Sequence, residues 1–269
     1  MVMLRVLIAT GAIYLFMATT RSVSRPSRPG VRVGLTLGVF NLTVPFVAST
    51  IALQYAGAGF VGLIIALIPM ATAIVANFLL PDEPLRGFKI AALSVGFAGV
   101  GVLLISGESG IGSVGRPLAA TSLMAVAVAS IAGANVYAKQ NERHFEAAQV
   151  TGLQFAFGFL ITLPIAFVTD GPPVQYSTWA WAMIGYQAIA GSALPFLLYF
   201  WALKRASVTK VALVAYMVPL ISLISGIVIL GEQAGLGIAI GGGLILGSVI
   251  LVDQSDRWML SRAGASAAK

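Results

Sequence analysis

Residues 41–56 read NLTVPFVASTIALQYA, and 150 positions further on residues 191–206 read GSALPFLLYFWALKRA. Pro45-Phe46 recurs as Pro195-Phe196, and Ala52-Leu53 as Ala202-Leu203. Outward at the same offset, Val61 and Leu63 meet Val211 and Leu213, Pro69 meets Pro219 and Leu80 meets Leu230. No gap is needed, so the chain carries an internal duplication.

Composition fixes the medium in which this duplication folds. Of 269 residues, 58% are hydrophobic and only 9% charged, with a mean hydropathy of +0.95. A membrane span needs about 20 mostly apolar residues. Nine stretches qualify: 3–20, 32–52, 57–80, 88–106, 117–138, 147–169, 179–203, 207–230 and 235–252. The expected fold class is all-α, a polytopic membrane helical bundle. Without cysteine there is no disulfide framework or thiolate metal site, and one histidine leaves little for imidazole chemistry. No cofactor or metal is expected. An enzyme would need a nucleophile, metal ligands or paired acids facing a cavity, and the spans offer none of these. Duplicated hydrophobic units instead mark carriers that alternate access around a central site.

The net charge of +7 does not call for nucleic acid, because its placement explains it. If the first span enters the cytoplasm, the loops on that side hold Arg21, Arg25, Arg28, Arg32, Arg86, Lys89, Lys139, Arg143, Lys204, Arg205 and Lys210. With Arg257, Arg262 and Lys269 in the tail, that is 14 of 16 basic residues, leaving out only Arg5 and Arg116. The positive-inside rule then puts the N-terminus outside and the C-terminus in the cytoplasm, with the bacterial inner membrane as the expected location. Gln54-Tyr55 in the first copy becomes Lys204-Arg205 in the second, whereas Arg86 and Lys89 map onto Leu236 and Ala239. The copies are therefore expected to be inverted, as an odd number of spans per unit requires, and five fits the spacing. The second copy begins at 117–138, whose partner would lie upstream of Met1. The first unit thus has four spans, which implies either a start placed too late or a fragment, or a genuine nine-span protein. Residues 1–20 do not read as a signal peptide, since residues 16–22 lack an A-x-A-like cleavage site.

A family resemblance rests on particular motifs. Ala52-Leu53-Gln54-Tyr55-Ala56 precedes a span holding Leu67-Ile68-Pro69 and ending Leu79-Leu80-Pro81-Asp82-Glu83, and a glycine-rich span with Gly96, Gly99 and Gly101 follows. In the second copy Ala202-Leu203 leads to Val218-Pro219, then to Leu230-Gly231-Glu232 and Gly241-Gly242-Gly243. Leu4-Arg5-Val6-Leu7-Ile8-Ala9 resembles a second span. Together these resemble the EamA domain of the drug/metabolite transporter superfamily over nearly the whole chain. The resemblance implies two inverted five-span units around a central cavity, exporting small organic metabolites. On this reading residues 1–106 are the first EamA repeat, 117–252 the second, and 253–269 a cytoplasmic tail.

Charge at the bilayer centre costs at least about 2.5 to 3.5 kcal/mol, and the sequence places all 25 charged residues in loops or at span ends. A relay of buried carboxylates is unsupported, and facilitated diffusion, exchange and proton coupling by another route stay open. The same distribution points to a small neutral or zwitterionic solute, amino-acid or drug-like, since a phosphorylated ligand would call for basic groups near the midplane.

The spans do carry polar stripes at helical spacing. Asn41, Pro45 and Ser49 share one face, and Gln187, Gly191, Pro195 and Tyr199 form the repeat-related one. Prolines 45, 69, 195 and 219 free the carbonyls of Asn41, Ile65, Gly191 and Ala215, and freed carbonyls in lipid seek protein or a watered cavity. Thr151, Gln154, Gly158 and Thr162 make a further stripe, with Asn135, Asn77 and Tyr216 isolated on flanking spans. The candidate solute-binding residues are therefore Asn41, Pro45, Pro69, Asn77, Asn135, Gln154, Gln187, Pro195, Tyr199, Tyr216 and Pro219. The competing explanation for each is hydrogen bonding between packed helices.

Other signals have bland explanations. The run Gly96 to Gly101 lies inside an apolar span, so it is not a nucleotide cradle. His144 reads as a solvated loop residue, and Trp179 and Trp201 as interfacial anchors. Glu83 and Glu232 end repeat-related spans, where capping or bonding to a neighbouring loop is the default and gating the alternative. Gly237-x-x-x-Gly241 and Gly243-x-x-x-Gly247 allow close approach of helices, within the bundle or in a homodimer. Residues 107–116 and 171–173 read as external turns. The partners expected are the lipid bilayer and a small-molecule solute, and the alternative to a carrier is a non-transporting membrane partner or a truncated inactive carrier.

Overall fold

In hydrocarbon a backbone N–H or C=O finds no water, so apolar segments satisfy their polar groups internally, as helices. The computed structural model describes residues 2–20, 25–56, 58–85, 87–105, 117–169, 177–216, 236 and 240–252, and no strand occurs among them. Pro219, Gly231, Glu232, Gly237, Arg116, both external turns and the tail lie outside the described residues.

The helices run in the order α1 (Val2–Thr19), α2 (Arg28–Leu37), α3 (Val44–Ala52), α4 (Ala58–Ile65), α5 (Ile68–Leu79), α6 (Gly87–Ile105), α7 (Pro117–Gln140), α8 (Ala147–Thr169), α9 (Thr178–Ala188), α10 (Leu194–Leu203), α11 (Val208–Ala212) and α12 (Ile240–Val252). A π-helical segment, Gly38–Thr43, joins α2 to α3, and another, Ile189–Ala193, joins α9 to α10. Among the described residues, five helical stretches are long and apolar enough to cross a membrane: Val2–Thr19, Arg28–Ala52, Leu118–Gln140, Ala147–Val168 and Thr178–Leu203. The shorter apolar helices are Ile68–Leu79, Gly87–Gly99 and Ile240–Val252. The protein is a polytopic helical membrane bundle.

Packing gathers these helices into two compact units, Met1–Ala48 with Gly133–Ala206, and Ser49–Ala132 with Ser207–Lys269. Each unit draws on both halves of the sequence.

In the first unit, Val6, Ala9, Ile13 and Met17 line one face of α1 and pack with Leu42, Phe155, Ala188 and Ala193. Gly30 and Gly34 on α2 and Gly38 at the start of the π segment recur every four residues and bring α8 close. A Cβ on Gly34 would strike Leu153, and Gly158 on α8 in turn accommodates Leu42. Ser27 caps α2 by accepting from the Gly30 N–H at 3.1 Å, and donates to the His144 carbonyl at 3.3 Å. Lys139 Nζ donates to Glu142 at 2.7 Å and to the Leu203 carbonyl, where α10 ends, at 2.8 Å. Lys204 reaches the Phe145 carbonyl at 2.8 Å and Glu146 at 3.2 Å. The loops before α2, between α7 and α8 and after α10 therefore meet at one end of this unit, as expected if their basic residues face one compartment. His144 is exposed there, and Arg205 stacks on Trp201 with its guanidinium carbon 4.0 Å from the ring centroid.

The second unit has its core in Ala66, Ala73, Ala92, Leu93, Leu213, Tyr216, Ile245 and Val252. Gly96 on α6 faces Tyr216 and Ser248, and a Cβ on Gly99 would meet the Gly241 carbonyl oxygen at 2.8 Å. Of the glycines read from sequence as helix contacts, Gly241 thus takes part in packing inside this unit, whereas a Cβ on Gly243 or Gly247 would meet nothing within 4 Å. Stretch 57–80 is not the continuous span that its hydropathy suggests. It breaks at Ala66-Leu67 into α4 and α5, and Pro69 sits in the first turn of α5. A helix tolerates proline there because that N–H has no intrahelical acceptor in any case. The Ile65 carbonyl is therefore not one freed within a helix.

Glu83, in the turn after α5, is 8% exposed. Its carboxylate accepts from the Val208 N–H at 2.7 Å, the Thr209 N–H at 3.3 Å and the Thr209 hydroxyl at 3.1 Å. Ser207 takes the Lys210 N–H at 3.4 Å. The first turn of α11 is thus capped by a residue from the other half of the sequence, and the anion sits at the positive end of the helix.

Candidate functional site

Pro45 and Pro195 lack an N–H, and their rings crowd the carbonyl four residues back. The chain answers both times by widening the preceding turn to the π register, at Gly38–Thr43 and Ile189–Ala193. Val44 N–H then reaches the Val39 carbonyl and Leu194 N–H the Ile189 carbonyl, five residues back instead of four. A hydroxyl closes each segment in the same way: Thr43 Oγ1 donates to the Gly38 carbonyl at 2.8 Å, and Ser192 Oγ to the Gln187 carbonyl at 3.1 Å. Such segments in mid-span often accompany functional sites.

Both lie in the first unit, which also holds its polar centre. Asn41 and Gln154, on separate stripes in the sequence, meet across α8 at 3.4 Å, Asn41 Nδ2 donating to Gln154 Oε1. Asn41 is 4% exposed and Gln154 fully buried, and the Gln154 Nε2 has no hydrogen-bond partner. The freed Gly191 carbonyl is taken by Arg5, whose Nη2 donates to it at 3.0 Å. Arg5 Nε donates to Ser192 Oγ at 2.6 Å, and the guanidinium carbon lies 4.8 Å from the Phe46 ring centroid.

This overturns the expectation that every charge stays at a span end. Arg5 is only the fourth residue of α1, yet its head group grips residues 191 and 192, about 20 Å by helical rise from Thr178 in a stretch, Thr178–Leu203, that runs for about 39 Å. A guanidinium at such a depth is expensive, and the argument against anionic groups on the solute loses its footing. Lys89 keeps to a span end, in the first turn of α6, although it is 2% exposed.

The remaining candidates fall in different places. Pro45 is buried beside its π segment, and Asn135 is buried near the end of α7 in the same unit. Tyr199 turns its hydroxyl oxygen inward, and its ring packs edge-on against Phe200 at 5.4 Å. Gln187 and Pro195 are exposed, in register with Gly191. Pro69, Asn77 and Tyr216 belong to the second unit. Pro69 is buried, whereas Asn77 is exposed and accepts from the Leu85 N–H at 2.7 Å, clasping the loop after α5. Tyr216 is buried and donates to the Leu93 carbonyl at 2.9 Å. Arg5 and Ser192 escaped the sequence reading. The available signal was the Gly191-Ser192 pair just ahead of a proline, with no signal for its partner.

The profile of the EamA-like transporter family matches residues 1–105 and 118–253. The chain belongs to the EamA-like transporter family. Uncharacterized transporter YvbV of Bacillus subtilis (strain 168) is 26% identical over 225 residues, covering 83% of this chain and 72% of the relative. Protein PecM of Dickeya dadantii (strain 3937) is 28% identical over 222 residues, covering 81% and 72%. An uncharacterized transporter of Archaeoglobus fulgidus is 25% identical over 253 residues, covering 92% and 84%. A solved crystal structure of a similar chain has a TM-score of 0.79 at 22% identity, over 96% of this chain and 88% of its own, a likeness of fold. This EamA protein is thus a multi-pass membrane protein of a transporter family and not an enzyme.

Proposed function

We propose that this EamA protein exports a small organic solute, neutral or zwitterionic and amino-acid or drug-like, by alternating access. Its N-terminus lies outside and its C-terminus in the cytoplasm. The observation that carries the reading is the polar centre of the first unit, where two repeat-related π segments share one core with the amides of Asn41 and Gln154, 3.4 Å apart. Transporter sites gather where spanning helices depart from regular winding, because carbonyls and donors are spared there from intrahelical bonds. A buried amide nitrogen with no partner is costly unless another state of the protein or a ligand uses it.

Asn41→Ala and Tyr199→Ala are expected to reduce solute flux from proteoliposomes by about tenfold or more, the cost of one lost hydrogen bond to a moving solute. Folded yield on size-exclusion chromatography should stay near wild type, because interhelical hydrogen bonds in membranes average only about 0.6 kcal/mol. Loss of folded protein in both variants would return these residues to a packing role.

A further inference from the structure

Arg5 pays for a position in the membrane without a counter-ion. Its protein partners are a hydroxyl, a carbonyl and the face of Phe46, and among the described residues no carboxylate pairs with it. Five N–H groups project from a guanidinium in a planar fork. The contacts to Ser192 and Gly191 occupy two, leaving three without a partner among the described residues. The bond to Gly191 is exposed, not sealed in the core. Gly191 adds to the opening, since a Cβ there would stand 3.8 Å from Arg5 Nη2 and 4.0 Å from the Gln187 Cβ. Gln187, Gly191 and Pro195, each four residues from the next, are exposed along the same face. A cation at this depth faces protein or a watered cavity and not lipid. The exposed bond to Gly191 brings the fork to the edge of this stripe.

Resting on the carrier reading above, we infer that Arg5 receives the carboxylate of the transported solute, which is a monocarboxylate such as a zwitterionic amino acid and not a neutral molecule. The free N–H pair forms a bidentate contact with the planar anion, and Ser192 with the Gly191 carbonyl holds the fork in place. One guanidinium balances one negative charge, whereas a phosphate dianion would leave charge uncompensated. Proline 195 is what makes the site possible, because it releases the carbonyl that orients the arginine.

The test loads proteoliposomes of the full chain with the twenty common amino acids, their amino-alcohol counterparts (carboxylate replaced by CH2OH), glucose and uridine, and follows efflux by mass spectrometry. Expected is efflux of one or more amino acids with their alcohols at least about tenfold slower. Arg5→Gln should raise KM for those acids about tenfold or more, Arg5→Lys should restore part of it, and Ser192→Ala should shift it less than about threefold. Alcohols leaving as fast as acids, or glucose or uridine leaving while acids stay, would overturn the carboxylate assignment and leave the carrier standing. So would unchanged acid efflux in Arg5→Gln. No efflux of any solute would overturn the carrier reading itself, and the role of Arg5 with it. The acid-to-alcohol comparison uses wild-type protein, so it decides the question even if the arginine variants fail to fold.

Discussion

Glu83→Ala is expected to cost about 3 kcal/mol of stability and to lower the melting temperature of the detergent-solubilised protein by on the order of 5 to 10 °C. The size follows from what the carboxylate holds. Three donors converge on it, two backbone N–H groups of α11 and the Thr209 hydroxyl, and the residue is almost fully buried. Removing the acceptor leaves these donors without water to replace it, and a buried donor left unmade costs more than the bond contributed. The loss also falls on the join between the two halves of the sequence inside one unit, where Ser207 alone remains as a cap. Glu83→Gln keeps an acceptor oxygen but loses the charge at the helix start, so about half the effect should remain. Thermal unfolding followed by loss of the monodisperse peak in size-exclusion chromatography measures both variants. An alanine variant within 1 to 2 °C of wild type, on the order of a single weak bond, would mean that water takes over the cap.

The second large effect belongs to Gly38→Ala. A Cβ at this position would stand 2.9 Å from the Phe157 Cβ, 3.0 Å from the Gln154 carbonyl oxygen and 3.2 Å from the Gly158 nitrogen. Two of these atoms are backbone of α8, so no rotamer change relieves the contact and the helices must part. Overpacking of this kind costs about 1 to 3 kcal/mol. Flux should fall further than stability, because Gln154 lies on the α8 surface that is pushed away and the Asn41 amide at 3.4 Å has no slack. Gly11→Ala and Gly133→Ala are the controls: a Cβ meets nothing within 4 Å at either position, and alanine in a helix gains about 0.5 to 1 kcal/mol over glycine. Flux assays and melting curves on the three variants separate close approach from helix propensity. If Gly38→Ala melts and transports as the controls do, the contact between α2 and α8 is looser than described.

Much of this was legible in the sequence, and what was not has a physical reason. The repeat at Pro45 and Pro195 located both irregular turns, because a proline acts on the carbonyl four residues back whatever surrounds it. It located the Gly191 carbonyl as well, but not the residue that binds it. Arg5 stands in the first turn of its helix, where any count along the chain assigns it to the membrane edge. Its reach to residue 192 depends on how α1 lies against the segment between α9 and α10, which periodicity does not encode. Asn41 and Gln154 were each visible as polar residues at helical spacing. Their meeting depended on Gly34, Gly38 and Gly158 letting two helices close, a property of the pair. The break at Ala66-Leu67 was hidden because hydropathy is indifferent to winding, although Pro69 in the first turn of α5 is the residue a helix start favours.

The interleaving of the two units sets a timetable for biogenesis. The first unit begins with Met1–Ala48 and is not complete until Gly133–Ala206 has been made. At about 5 to 20 residues per second, α1 and α2 wait on the order of ten to thirty seconds in the membrane before α8 and α10 arrive. During that interval Arg5 has no Ser192 or Gly191 to grip, and the glycine face of α2 is uncovered. A nascent chain in this state is a natural client for an insertase or a membrane chaperone, and a target for quality-control proteolysis if synthesis stalls between residues 48 and 133.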